Sequence, residues 1–242
     1  MVSRFKAFCA LLAFFGLGQV AIAGPPKAVV ELFTSQGCSS CPPADAVLEE
    51  MSRRPEVVAL TFPVDYWDYL GWKDTLAHPL FTARQRGYAH GRGDRQVYTP
   101  QVIVNGVESC IGSDRAAIEK AITSPKARSA SLSADVRTSE RDGMVVVEVE
   151  GAPDRRAEVW VLPVLRIRAV QIGKGENRGR TITYANIVRG LIRIAEWTGG
   201  AARFETSLRT AKGDADGYVV LLQTIDGKTP GPIIGAAKSP GL

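Results

Sequence analysis

Residues 28–53 read AVVELFTSQGCSSCPPADAVLEEMSR, and this stretch decides the fold. Residues 28–34 are mostly β-branched or apolar and read as a buried strand, ended by a turn at Ser35-Gln36-Gly37. Cys38-Ser39-Ser40-Cys41 follows directly, and Pro42 and Pro43 suit the first turn of a helix, where a missing N–H costs little. Ala44, Val47, Leu48 and Met51 then recur at helical spacing until Pro55 closes the run. Two cysteines therefore stand where a strand turns into a helix. There the unpaired N–H groups and the positive end of the helix dipole favour thiolate over thiol.

Working outward, residues 57–64 read as a second buried strand, followed by an aromatic stretch from Asp65 to Trp72 and a helical pattern from Pro79 to Ala89. Tyr98-Thr99-Pro100 leads into a strand over Gln101–Val104, and Asn105-Gly106 is a two-residue hairpin signal into Val107–Ile111. Ser113-Asp114 caps a helix that runs through Ile122. The order is β-α-β-α-β-β-α. After Ser124-Pro125 the texture changes to period-2 alternation over 130–137, 144–150, 157–170, 181–189, 191–197, 203–208 and 218–225, with Gly, Asp and Asn turns between. The expected organisation is one α/β domain at 24–127, carrying an aromatic insert at 65–95, and a mostly antiparallel, sandwich-like β domain at 128–242; a β-rich tail packed against the first domain as one unit is the alternative.

The strand-to-helix CxxC, with Thr99-Pro100 before a strand some sixty residues later, resembles the thioredoxin-like superfamily, and the run TPQVIVNG at 99–106 resembles glutaredoxin-type sequences. The whole chain also resembles a family of secreted bacterial thioredoxin-like proteins of unknown function. A bare CxxC is weak evidence, since zinc and haem sites use it too; the combination is specific. The resemblance implies an α/β thioredoxin-like fold over residues 28–123. It makes Cys38 the attacking thiol, Cys41 the resolving one, and Pro100 a cis-proline that sets the main chain of Thr99 beside an incoming extended segment. Gly37 stands where thioredoxin has Trp. Ser39 and Ser40 complete the motif loop, either as hydroxyl donors to a thiolate or as small residues that fit the turn.

The amino terminus reads as a secretory leader at residues 1–23: Arg4 and Lys6, an apolar run over 7–18 that contains Cys9, and Ala21-Ile22-Ala23 as a cleavage site. No other run approaches the roughly 18 apolar residues of a membrane span, so the mature chain is expected in the periplasm or outside the cell. That compartment is oxidising, which makes the thiols of Cys38, Cys41 and Cys110 informative. With 45% hydrophobic and 23% charged residues and a net charge of +5, the composition is globular and excludes a disordered or fibrous chain. The basic excess sits in residues 128–242, around the run GKGENRG at 173–179, which lacks a phosphate-loop pattern. A nucleic-acid partner is not expected.

These readings converge on a thiol-disulfide oxidoreductase that needs no cofactor beyond the Cys38/Cys41 pair and exchanges disulfides with protein or small-thiol partners, including an unidentified redox partner. Three accessory candidates remain. Glu31 lies near the place of thioredoxin's buried acid but one residue out of register; it is either a proton-transfer group or an exposed or edge carboxylate. Cys110 either pairs transiently with Cys38, pairs between chains, or is a small buried core residue. Trp67, with its aromatic neighbours, either walls the redox site or fills a seam against the β domain. No metal site is expected, because His78 and His90 lack ligand spacing with the CxxC. The alternatives are a copper-binding metallochaperone of thioredoxin-like fold and a non-catalytic binding module whose disulfide is structural.

Overall fold

A computed structural model describes residues 25–126, 132–152, 155–227 and 229–242. The leader read at residues 1–23 and the junction at 127–128 lie outside the described residues. Strand β1 (Ala28–Thr34) is buried along its whole length, its run apolar except at Glu31 and Thr34, and pairs in parallel with β2 (Val57–Pro63). Helix α1 (Pro42–Ser52) joins them; α2 (Pro79–Arg92) follows after a short 3₁₀ turn at Asp68–Leu70. Strands β3 (Gln101–Val104) and β4 (Glu108–Ile111) form the hairpin, with Asn105 and Gly106 both at positive φ as the Asn-Gly pair requires, and α3 (Arg115–Thr123) closes this half.

The rest of the chain corrects the fold class. It is not an α/β thioredoxin-type unit followed by a separate sandwich: the described protein is mostly β, with a nine-stranded mixed sheet, a second sheet of three strands, and only short helices between them. Strands β7 (Ala157–Gln171), β8 (Thr181–Val188), β9 (Ile192–Trp197), β11 (Gly217–Asp226) and β12 (Thr229–Lys238) extend the sheet begun by β1 and β2, in the order β12-β11-β7-β8-β2-β1-β3-β4, with β9 on β7. The physical reason is the free edge of β2. Strand β8 covers it in parallel at Thr61–Ile187, and two side chains fasten the seam: Thr61 Oγ1 donates to the Ala185 carbonyl at 2.6 Å and Asn186 Nδ2 to the Ala59 carbonyl at 3.0 Å.

Strands β5 (Asp135–Arg141), β6 (Met144–Glu150) and β10 (Ala202–Ser207) make the smaller sheet. Its valines at 136, 145, 147 and 149 pack on Val159, Val161, Val220 and Leu222 of the large one, and α4 (Leu208–Lys212) plugs the end with Ala211. The large sheet separates two further cores. On one face Val30, Leu32, Ala59 and Val102 meet Ala44, Leu48 and Met51 of α1; on the other Val29, Phe33, Leu60 and Phe62 meet Phe81 and Tyr88 of α2 and Leu221 and Ile233. Among the described residues no helix is long and apolar enough to cross a membrane.

Candidate functional site

Cys41 occupies the residue before α1, Pro42 opens the first turn, and Cys38 lies at the end of the Ser35–Gly37 turn, so the disulfide that joins them sits at a helix N-terminus. Their Cα atoms are 5.4 Å apart. Ser39 and Ser40 are exposed, but Cys38 is only 1% exposed and Cys41 0%. Ser40 Oγ is 3.4 Å from Cys38 Sγ, close enough to donate to a thiolate formed there.

Two pieces of chain cover the pair. The first is the aromatic stretch after β2. A Cβ on Gly37 would come within 3.0 Å of Trp67 Cβ, so the absence of a side chain there lets Trp67 lie against the motif loop. Trp67 Nε1 in turn donates to Thr99 Oγ1 at 2.8 Å, which ties the loop to the Thr99–Pro100 peptide; that peptide is cis. Pro100 reaches the same corner from below: a Cβ on Gly112 would meet Leu32, Ala44 and Pro100 together. The structure thus gathers Gly37, Cys38, Cys41, Trp67, Thr99 and Pro100.

The second cover comes from the β7–β8 loop, far along the chain. Asn177, fully buried, donates through Nδ2 to the carbonyls of Gln36 at 3.0 Å and Cys38 at 2.8 Å. Its neighbour Glu176 accepts the N–H of Ser39 through Oε2 at 3.1 Å. Trp72 links the two covers, its ring packing against Gly173 while Nε1 donates to Gln36 Oε1 at 2.8 Å.

Beneath the disulfide lies a buried acid. Asp45 is one helical turn after Cys41, and its N–H donates to the Cys41 carbonyl at 3.1 Å; Cβ atoms in a helix tilt toward its N-terminus, which aims this side chain back at the pair. It is 2% exposed, and neither carboxyl oxygen has a hydrogen-bond partner among the described residues. Burial pushes its pKa well above the ordinary carboxylate range; the nearby Thr34 hydroxyl opposes the shift and the Asp74 carboxylate adds to it. Thr34 Oγ1 and the Tyr184 hydroxyl are likewise buried without partners. Burial, then Asp45 and Asp74, also push the pKa of the Tyr184 phenol up. Asp74 itself accepts the N–H groups of Gln36, Leu76 and Ala77, yet burial still raises it.

The remaining candidates fall elsewhere. Glu31 is neither exposed nor at an edge: it is fully buried on the α2 face of β1, the face opposite α1. Arg84 Nε donates to its Oε1 at 2.7 Å and Tyr88 Oη to its Oε2 at 2.6 Å, while Gln223 Nε2 reaches Tyr88 Oη at 2.8 Å. Cys110 is a free, half-buried thiol on β4 whose pKa burial pushes up to about 11, so it is a poor nucleophile at neutral pH. His78 caps α2, its Nδ1 accepting the Leu80 N–H at 3.1 Å. Among the described residues no three His, Cys, Asp or Glu side chains are grouped to hold a metal ion. Asp45, Glu176 and Asn177 escape sequence reasoning. An acid in the first turn of a helix reads as a solvated partner of the dipole, and a loop without periodicity carries no signal of where it docks.

The architecture and this corner of it can be set beside known proteins. A comparison with curated proteins gives no match. The crystal structure of an Agrobacterium tumefaciens protein, solved by a structural genomics consortium, is similar at 35% identity and a TM-score of 0.81, covering 90% of this chain and 96% of that one. A family profile matches residues 29–223, from β1 through most of β11 and so across both halves of the large sheet. The chain belongs to that family, described as "Protein of unknown function (DUF1223)".

Proposed function

We propose that the protein is a thiol-disulfide oxidoreductase working through Cys38 and Cys41. The observation that carries this reading is the disulfide at the start of α1 with Asp45 one turn after Cys41, buried, without a hydrogen-bond partner among the described residues, and with its pKa pushed up by burial. A structural cross-link has no use for an acid whose burial is costly. An exchanging pair needs a proton source there, because each cycle makes and unmakes a thiolate at the inner cysteine. The CxxC and Thr-Pro resemblance to thioredoxin-like proteins supports the reading at the level of the motif.

In the oxidised protein a substrate thiolate attacks Cys38 Sγ; the new sulfur–sulfur bond forms as the Cys38–Cys41 bond breaks, and Cys41 leaves with the electron pair. Asp45 gives its proton to that sulfur. A second substrate thiolate attacks the substrate sulfur of the mixed disulfide, releasing a substrate disulfide and leaving Cys38 as thiolate. Two electrons have passed from the substrate dithiol to the protein. Of the two substrate protons, one restores Asp45 and the other goes to solvent. The same steps reversed oxidise the reduced protein. Thr99 and Pro100, beside the pair and braced by Trp67, are the place where an extended partner segment lies. The reaction needs no cofactor, and its compartment in this reading is the periplasm or the cell exterior, where disulfides persist.

The test is a redox titration of the mature protein against glutathione and dithiothreitol. A potential between about −120 and −270 mV is expected, the span of exchange catalysts. A disulfide that resists reduction below about −300 mV would make the pair structural and overturn the assignment. With a disulfide-bearing peptide, the reduced Cys41→Ser variant is expected to accumulate a mixed disulfide visible by mass, whereas Cys38→Ser does not; equal trapping by both would reverse the roles of the two cysteines.

A further inference from the structure

Glu176 contacts the motif loop at the amide that directly follows Cys38. We propose that Glu176, supplied by the far half of the chain, is a positioning residue that sets the reactivity of Cys38 by holding a negative charge against the helix N-terminus where the thiolate forms. The inference rests on the oxidoreductase reading.

Three observations carry it. The carboxylate accepts the Ser39 N–H at 3.1 Å, so an anion sits on the amide directly after Cys38, next to where a thiolate would form. The contact is fixed rather than incidental, because the adjacent Asn177 is fully buried and ties the same loop to the carbonyls of Gln36 and Cys38. The Ser40 hydroxyl lies 3.4 Å from the Cys38 sulfur. Other ionisable groups on the elements packed around the pair include Asp45 on α1, Asp68 and Asp74 in the segment after β2, Tyr184 on β8, and Lys174, Arg178 and Arg180 on the loop itself. Burial pushes the Asp45 carboxyl toward its neutral form, and the three cations are exposed, where solvent screens them. Glu176 is the anion that touches the motif.

A like charge beside a titrating group disfavours its charged form. Glu176 therefore raises the Cys38 pKa, destabilises the reduced protein and makes the disulfide harder to reduce. It restrains a helix terminus that would otherwise make the pair a stronger oxidant.

Glu176→Gln separates charge from hydrogen bonding, since the amide oxygen still accepts the Ser39 N–H. The measurements are the Cys38 thiolate pKa, by ultraviolet absorbance of the reduced protein, and the equilibrium constant with glutathione, at low and high salt. The expected result at low salt is a Cys38 pKa lower by about half to one unit and an equilibrium moved about three- to tenfold toward reduced protein, tenfold being about 30 mV for this two-electron couple. Both shifts shrink at high salt, and Glu176→Asp stays close to the parent. A wild-type protein that exchanges with glutathione but is matched by Glu176→Gln in pKa and equilibrium would overturn the proposal and leave Glu176 a simple cap. A wild-type protein that does not exchange overturns the oxidoreductase reading first. The position is exposed, and thermal melting of both variants checks that the fold is intact.

Discussion

Replacing Glu31 by alanine is expected to cost about 3–5 kcal/mol of stability, the largest effect of any single change considered for this protein. The carboxylate is fully buried and bound to Arg84 and Tyr88, so its removal strands a guanidinium that is itself only 6% exposed. Arg84 also stacks over the rings of Phe62 and Tyr88 at 5.6 and 5.0 Å, which holds it in the interior. In a chain of this size the loss corresponds to a fall of about 10 °C in melting temperature. The double variant Glu31→Leu/Arg84→Met is expected to recover most of it, because replacing both members of a buried pair by apolar groups removes the unpaired charge. A denaturant titration of the three proteins checks this, and a loss under about 1 kcal/mol in Glu31→Ala would mean that water reaches Arg84. The network spans β1, α2 and, through Gln223, β11, so the same variant also loosens the hold between the two halves of the sheet.

Asp45→Asn is expected to act in opposite directions on stability and on exchange. The native pKa is raised above that of the unfolded chain, near 4 for an ordinary aspartate. Between those values the native protein holds a proton that the unfolded chain has lost, so wild-type stability falls as pH rises through that window. The asparagine variant has no such dependence. Oxidised Asp45→Asn should therefore be more stable than wild type at pH 7, part of the gain being lost to the unsatisfied amide, and the advantage should shrink as pH falls toward 4. Loss of the proton relay should slow the step at Cys41 by about a hundredfold, visible as a mixed disulfide that lingers. A variant with unchanged stability at pH 7 would show that Asp45 ionises freely; one with unchanged exchange kinetics would remove it from the mechanism.

Local grammar made much of the amino-terminal half legible. The buried run before the CxxC, the prolines at the first turn of α1 and the Asn-Gly pair each have one physical use, and each is used that way. The partner of the β2 edge was not legible, because strand order is set by long-range packing that no short window contains. Strand β12 escaped for a local reason: TPGPIIGAAK carries two prolines and two glycines, which argue against a strand, yet it lies at the end of the large sheet, where a missing N–H is tolerated. At the site, Cys38, Cys41, Thr99, Pro100 and Trp67 could be singled out by residue type. Asp45 could not, since only the packing of α1 against β8 turns an ordinary first-turn acid into a buried one.

The Asn177 contact has a consequence for how the protein comes into being. Asparagine and motif carbonyl are separated by 139 positions, so a polypeptide synthesised from its amino terminus presents both sulfurs to its surroundings long before the residue that fastens their loop exists. During that interval no cover from the β7–β8 loop restrains them and no Glu176 charge faces them. If the pair exchanges as proposed, its first oxidation is governed by the compartment and by whatever catalysts it offers, while every later cycle is governed by the finished site. A nascent chain and a mature one carry the same two cysteines with different chemistry, and the change from one to the other is dated by the arrival of a loop.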